Sequence, residues 1–280
     1  MIEYKEFTPK DSRLKKYIHS YTSSIGVLEQ SGAKYITRAF PSYLTQFYFE
    51  FYGSLSQIVS DKKSEIIEKR TYINTQIDRW FDVYQIESKN KKRAIKNFKV
   101  DLYPHTLYEV FRISSQELIN HDVKIEDIWG SKALSANLYE ELESSVSGEE
   151  MVRVFEKYFL EKLQRTQKEN SFTHLYLQTN NNLELLSKKL GYSTRWIQKE
   201  HKELFGLSFK ELQSNMRFLK TVDYISNLVE NNTPINLSLL SLECGYYDQA
   251  HFIKEFKKYS GFTPKEYLKI HLHANVPFYW

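Results

Sequence analysis

Two different spacings of apolar residues divide the chain. From about residue 34 to 113 the period is mostly two. In "YLTQFYFEFYG", Phe47, Phe49 and Phe51 alternate with Tyr48, Glu50 and Tyr52 before Gly53 stops the run, which predicts a strand. "TYINTQIDRWFDVYQIE" and "NFKVDLYPHTLYEVF" are similar runs, the second interrupted by Pro104 at a turn or edge. Between them, "SKNKKRAIKN" reads as a solvated hairpin loop, with a nucleic-acid contact as the alternative. Aromatics on both faces of a strand imply that both faces are covered. One face would pack on a second sheet, the other line a ligand cavity or a dimer contact. Core packing is the simpler account of any single aromatic, and spacing does not select those that would touch a ligand.

Helical spacing follows. "SSQELINHDVKIEDIWG" predicts a short helix and a turn, and "SANLYEELESSV" and "GEEMVRVFEKYFLEKLQR" predict amphipathic helices. In the last, Val152, Phe155, Phe159 and Leu163 stack at intervals of three to four. The polar "TQKENS" is the predicted linker, and residues 171–270 contain no convincing strand.

The same helical unit then occurs twice, as "LELLSKKLGYSTRWIQKEHKELFGLSFKEL" (183–212) and "LSLLSLECGYYDQAHFIKEFKKYSGFTPKEY" (237–267). Each has a short amphipathic helix, Gly-Tyr, a second helix and a closing glycine. Gly191 and Gly245 fall where a helix ends and the chain turns, a position that favours glycine. Ser193 and Asp248 offer side-chain oxygens to cap the next helix. This is a helix-turn-helix pattern, whose second helix enters the DNA major groove. At 100° per residue Ile197, His201 and Leu204 share one side, with Arg195, Lys199 and Lys202 opposite. In the second unit Phe252, Phe256 and Tyr259 oppose Ala250, Lys254 and Lys257. One such basic face is ordinarily just solvated; two in tandem behind matched turns favour DNA. The segment between them reads as one helix of about 22 residues with Leu212, Met216, Leu219 and Val222 to one side. It would span ~33 Å, close to the ~34 Å turn of B-DNA.

Composition adds bounds. At 280 residues the chain has room for two domains, with 41% hydrophobic and 26% charged residues as in ordinary globular proteins. A net charge of +4 only hints at an anionic partner. Cys244 is the sole cysteine, which excludes an intrachain disulfide and a cysteine-based metal cluster. No secretory leader or membrane-length apolar run is present, so a cytoplasmic protein without membrane contact is expected. His19, His105 and His121 are scattered, and the "HLH" of 271–273 sits in a tail; no metal site and no cofactor are expected.

Residues 171–270 resemble the DNA-binding region of the AraC/XylS family of bacterial transcription regulators. The signature lies in "LSLECGYYDQAHFIKEFKKYSGFTPKEY": Gly-aromatic, Gln, Phe-x-x-x-Phe-Lys-Lys, Gly-x-Thr-Pro and the late Tyr. Gly-Tyr-Ser, Ile-Gln-Lys and Phe-Gly-Leu-Ser in the first unit match more loosely. The resemblance implies base contacts from Arg195, Gln198 and Lys199 in the first unit and from Gln249, His251 and Lys254 in the second. Arg and Lys reach guanine and Gln pairs with adenine; Lys202, Lys257 and Lys258 fit phosphate contacts. Lys199 and Lys254 stand where the family commonly has Arg, and His201 where it has an apolar core residue. The region from 170 to 280 is only weakly basic, with 13 Lys+Arg against 10 Asp+Glu.

The N-terminal half is similar to the family's β-rich sensor domains, which implies a cupin-like jelly roll followed by helices. The expected fold class is therefore α+β. It comprises an N-terminal regulatory or dimerisation domain (1–165), a linker (166–170), an all-α DNA-binding domain (171–270) and a tail (271–280). The helix-turn-helix motifs fall at about 183–205 and 237–259, joined by the long helix. The expected function is a sequence-specific, non-enzymatic transcription regulator with double-stranded DNA as its partner. RNA polymerase, a small-molecule effector and a second copy of the chain are further partners such a regulator admits. Two other classes compete. A DNA-repair methyltransferase can borrow this module but needs reactive cysteines, where Cys244 reads as a small core residue. A cupin-type enzyme with a helical appendage would need metal ligands that are missing. No phosphate loop, nucleophile elbow or catalytic carboxylate pair stands out, so no catalytic residue is expected.

Overall fold

Alternation at 45–52 produces the strand it predicts, and ten strands and ten α-helices are present among the described residues. The structure is a computed structural model that describes residues 2–27, 36–52, 55–59, 64–67, 71–74, 80–86, 94–118, 122–166, 171–178 and 182–273. The strands are β1 (Ile2–Phe7), β2 (Ile18–Val27), β3 (Ile36–Ala39), β4 (Thr45–Tyr52), β5 (Leu55–Val59), β6 (Ser64–Ile67), β7 (Thr71–Asn74), β8 (Phe81–Ile86), β9 (Ala94–Leu102) and β10 (Asp122–Val123). They form two antiparallel sheets, ordered β1-β2-β9-β4-β7-β10 and β3-β8-β5-β6. The chain passes back and forth between the sheets from β2 to β9, the connectivity of a double-sheet β domain.

Helices α1 (Ile125–Trp129), α2 (Lys132–Ser144) and α3 (Gly148–Gln164) follow. They pack on the larger sheet: Phe155 of α3 sits 6.1–6.4 Å from the rings of Phe47, Phe49, Phe98 and Tyr21. Phe47, Phe49 and Phe51 thus share one face, as the alternation requires, and that face is covered by helix. The opposite face is polar. Asp101 accepts from Ser20 Oγ (3.1 Å) and Gln46 Nε2 (3.0 Å) and pairs with Lys99 (3.1 Å). Burial there raises the Glu50 carboxyl to about 7.

Several expectations need correction. Strands begin at Ile2, well before the period-two pattern at 34. "TYINTQIDRWFDVYQIE" is two strands, β7 and β8, in different sheets. The run after Pro104 is not a strand: β9 ends at Leu102, and Leu107–Phe111 coil into a π-turn. "SSQELINHDVKIEDIWG" contains a 3-10 turn (Ser115–Leu118), β10 and α1. In "SKNKKRAIKN" residues 88–93 lie outside the described residues, and the rest is β9. There Lys96 is buried, donating to the carbonyls of Glu143 and Ser145 at the end of α2. His121, linker residues 167–170 and tail residues 274–280 also lie outside. On α3 the buried stripe is Met151, Phe155, Tyr158 and Phe159, with Val152 and Leu163 at its margin.

The C-terminal part is helical throughout its described residues: α4 (Ser171–Gln178), α5 (Leu183–Leu190), α6 (Thr194–Phe205), α7 (Phe209–Glu230), α8 (Leu237–Glu243), α9 (Gln249–Ser260) and α10 (Pro264–His273). Two cores hold it. One contains Leu186, Ile197, Leu204 and Leu212; the other contains Phe218, Val222, Phe252, Phe256 and Tyr267. The 22-residue helix α7 supplies both, Leu212 to the first and Phe218, Val222 and Ile225 to the second. Its buried stripe runs through Leu212, Asn215, Phe218, Val222 and Ile225, so Met216 is exposed rather than inward. The aromatic Phe218 sets that register.

Candidate nucleic-acid interface

Each helix-turn-helix is built by short-range chemistry. Gly191 ends α5 at φ +72°, and Gly245, at φ +83°, follows Cys244, the C-cap of α8. Both lie in the left-handed region that glycine enters without a Cβ penalty. Ser193 Oγ then accepts from Trp196 N (3.3 Å) and Asp248 Oδ1 from His251 N (2.7 Å), capping α6 and α9. Asn182 and Asn236 cap the helices that precede them. The Thr-Pro pair opens α10: Thr263 Oγ1 accepts from Glu266 N, Glu266 accepts from Thr263 N, and Pro264 takes the first helical position.

These caps fix which faces point out. On α6, Ile197, His201 and Leu204 are fully buried, whereas Arg195, Gln198, Lys199 and Lys202 are exposed. On α9, Phe252, Phe256 and Tyr259 are buried; Gln249, Ala250, Lys254, Lys257 and Lys258 are exposed. Arg195, Gln198, Lys199 and Lys254 make no hydrogen bond or ion pair with any described residue, so their polar ends remain available to a ligand. Two candidates are already engaged. Gln249 accepts from Ser238 Oγ (3.2 Å). Half-buried His251 accepts the Tyr247 N–H at Nδ1 (3.4 Å), and its Nε2 lies 3.4 Å from Glu255. Glu255 in turn takes a two-pronged bond from Arg217 of α7 (2.8 and 2.9 Å), which locks α9 against the connector.

The repeats are not equivalent in detail. Tyr246, after the second glycine, is buried with its hydroxyl 3.2 Å from Thr221 Oγ1. Tyr192, after the first, is exposed and stacks on Trp196 at 4.0 Å. Trp196 and Tyr247 escaped the sequence reading. Tyr247 is 88% exposed in the turn before α9, beside the outward face of that helix. The doubled Tyr after Gly245 was the available signal, but the motif accounts for only one of the pair.

The β domain touches the far end of both outward helices. Ser114 and Ser115 lie 3.5 and 2.9 Å from the carbonyls of Glu203 and Leu204, in the last turn of α6. The His105 ring meets Phe205 edge-on at 6.0 Å. At α9, Arg38 donates to the Ser260 carbonyl (3.2 Å) while bound two-pronged to Asp82 and held between Trp80 (3.9 Å) and Phe262 (4.1 Å). Phe40 is buried in the second helical core, edge-on to Phe218 at 5.6 Å. The last carbonyls of a helix lack intrahelical partners, and here side chains of the β domain supply them.

Cys244 is buried, and burial raises its thiol above the usual range, the reverse of an activated nucleophile. His105 is buried, bonded to the Lys16 carbonyl (2.9 Å) and lowered to about 4 by burial, so it is a packing residue; His19 lies 3.2 Å from Ser20 Oγ. No group of metal-ligating residues occurs among the described residues, and no helix there is long and apolar enough to cross a membrane.

Two capped helix-turn-helix units with outward basic faces, joined by one rigid helix, define a DNA-binding protein of the tandem helix-turn-helix class. Residues 186–270 match the family described as "Helix-turn-helix domain", of the AraC type; the protein is a DNA-binding transcription regulator carrying that domain. No curated protein sequence is significantly similar to the chain. Among solved structures it is similar to ToxT from Vibrio cholerae, at 12% identity over 89% of this chain and 98% of that one, with a TM-score of 0.43. A form of ToxT bound to an unsaturated fatty acid gives 12% identity, 89% and 94% coverage and 0.41. The AraC-like transcriptional activator CuxR gives 10% identity, 71% and 80% coverage and 0.31.

Proposed function

We propose that the protein reads two successive major grooves on one side of DNA, with α6 in one and α9 in the next. One observation carries the reading: two outward basic helices pack on a single 22-residue helix, α6 through the core that takes Leu212 and α9 through the core that takes Phe218, Val222 and Ile225, on a helix ~33 Å long. Arg195, Gln198 and Lys199 read bases from α6, and Gln249, His251 and Lys254 from α9. Lys202, Lys257 and Lys258 hold phosphates. Lys254 is the strongest candidate on α9, since Gln249 and His251 must first release their partners within the chain. Residues 1–165 form the regulatory domain, joined through 166–170 to the DNA-binding domain at 171–270. Its grip on the ends of α6 and α9 supports control by an effector or by pairing of two copies, with RNA polymerase as the downstream partner in the cytoplasm. No catalytic step is assigned to the chain. Selection of bound fragments from a random DNA pool tests the proposal. Two short motifs about one helical turn apart are expected; a single motif, or none, would remove the two-groove reading.

A further inference from the structure

A cleft of about 400 Å³ opens in the β domain among the π-turn Leu107–Phe111, the α1–α2 corner and the last turn of α3, and no residue of α6 or α9 lines it. That size falls within the ~300–1,000 Å³ of small-molecule sites. Phe111 and Trp129 give it an apolar wall, and Arg112, Lys162 and Arg165 bring three cations to it. No carboxylate lines it, and none of the three cations forms an ion pair with a described residue. Burial and the charge of Arg165 both lower the Lys162 ammonium, which is what uncompensated positive charge does. Ser131, the N-cap of α2, also lines the cleft and brings the positive end of that helix to it. Arg112 is held at φ +61°, one of two non-glycine residues with positive φ among those described. It caps the π-turn there, its N–H donating to the Tyr108 carbonyl (3.2 Å), so the backbone at the cleft is held in place.

We infer that this cleft binds a small organic molecule with a doubly charged anionic head, a phosphomonoester or a dicarboxylate, on an apolar body. The charged head meets Arg112, Lys162 and Arg165, and the body lies against Phe111 and Trp129. In taking this molecule as the effector, the inference rests on the regulatory reading above. The position suits that role. Arg112 is two residues from Ser114 and three from Ser115, which hold α6, and Arg165 stands at the start of the connection to α4.

Titration calorimetry on the full chain at fixed ionic strength, with phenyl phosphate and phenylsuccinate as probes, tests the site. One of the two is expected to bind at a single site, and the tighter one identifies the head group. Phenol, with the ring but no charge, is expected not to bind. The double variant Arg112→Gln/Arg165→Gln should weaken binding about tenfold or more, while Lys254→Gln/Lys257→Gln leaves it unchanged. Both arginines are exposed, so the cleft variant should melt as the parent does; Lys162→Gln provides a second, independent loss. Absence of binding by both probes, equal binding of phenol, or loss only in the DNA-face variant would overturn the site. Affinity for the selected DNA is measured in parallel. Probe binding that leaves DNA affinity unmoved would overturn the effector role alone. Failure to select any DNA motif would strike the DNA reading and leave the titration intact.

Discussion

His201 shows how much one residue can tell. It is fully buried, stacked on Phe209 at 3.8 Å and Phe205 at 4.6 Å, with Nδ1 2.9 Å from the Leu207 carbonyl. Since a carbonyl only accepts, Nδ1 carries the proton, and the bare Nε2 is left buried without a partner. Burial lowers the imidazole to about 4, as it does at His105. As pH falls from about 6.5 to 4 the unfolded chain takes up protons at these sites before the folded one does, so stability falls across that window. Glu50, raised to about 7, acts oppositely: its ionisation costs stability as pH rises from about 4.5 to 7. His201→Phe keeps the ring stack and removes one titration. The variant should lose ~3 kcal/mol less than the parent across the full acid window, measured by denaturant unfolding at pH 7 and near pH 4. At the DNA face, Arg195→Ala and Lys254→Ala should each cost ~1–3 kcal/mol of specific binding with the fold unchanged. Lys202→Ala should instead weaken binding to all sequences and lower the salt slope by about 1. Binding isotherms at several salt concentrations separate the two outcomes.

At the level of elements, the junction at Arg38 couples β3 to the end of α9. Arg38→Ala removes two hydrogen bonds to Asp82 and one to the Ser260 carbonyl, and leaves a largely buried carboxylate alone. A loss of ~3 kcal/mol is expected, seen as a lower denaturant midpoint. Gly261 allows the same approach: at φ +76°, a Cβ there would stand 2.5 Å from the Trp80 ring. What was legible in the sequence follows from range. Gly191, Ser193, Gly245 and Asp248 act within a few residues, so the turns and outward faces of α6 and α9 could be read locally. Phe47, Phe49 and Phe51 declared β4 by alternation. β1, "IEYKEF", mixes Tyr4 and Glu6 on one face with Lys5 and Phe7 on the other, and its pairing with β2 is a tertiary outcome. Met216 and Phe218 were equally apolar on paper; the cores on either side of α7 chose between them. Phe40 and Trp80 gave no sign that their partners lay about 180 residues away. The three cations of the β-domain cleft come from two places far apart in the chain, Arg112 at the end of the π-turn and Lys162 and Arg165 at the end of α3, a meeting beyond the reach of spacing.

For the whole molecule, Phe40 places a β-domain ring inside the second helical core. Phe40→Ala should therefore destabilise helices far from it in sequence. A cost of ~3–5 kcal/mol is expected, with the loss of hydrogen-exchange protection appearing in α7, α9 and α10. The connector α7 has a consequence of another kind. Its two ends are set in different cores, so its length sets the phase between two readers. One inserted residue would turn the second reader by ~100° and move it ~1.5 Å, taking its basic face off the side of DNA met by the first. Seven inserted residues would almost restore the angle, lagging by ~20°. They would also lengthen the span by ~10 Å, about three base pairs of B-DNA. Surface substitutions on α7 leave this phase alone, but insertions and deletions do not. The helix can drift in composition while its residue count stays fixed; about three base pairs further along, the groove has turned by about 100°, so a variant with seven added residues should lose selection of the paired motif.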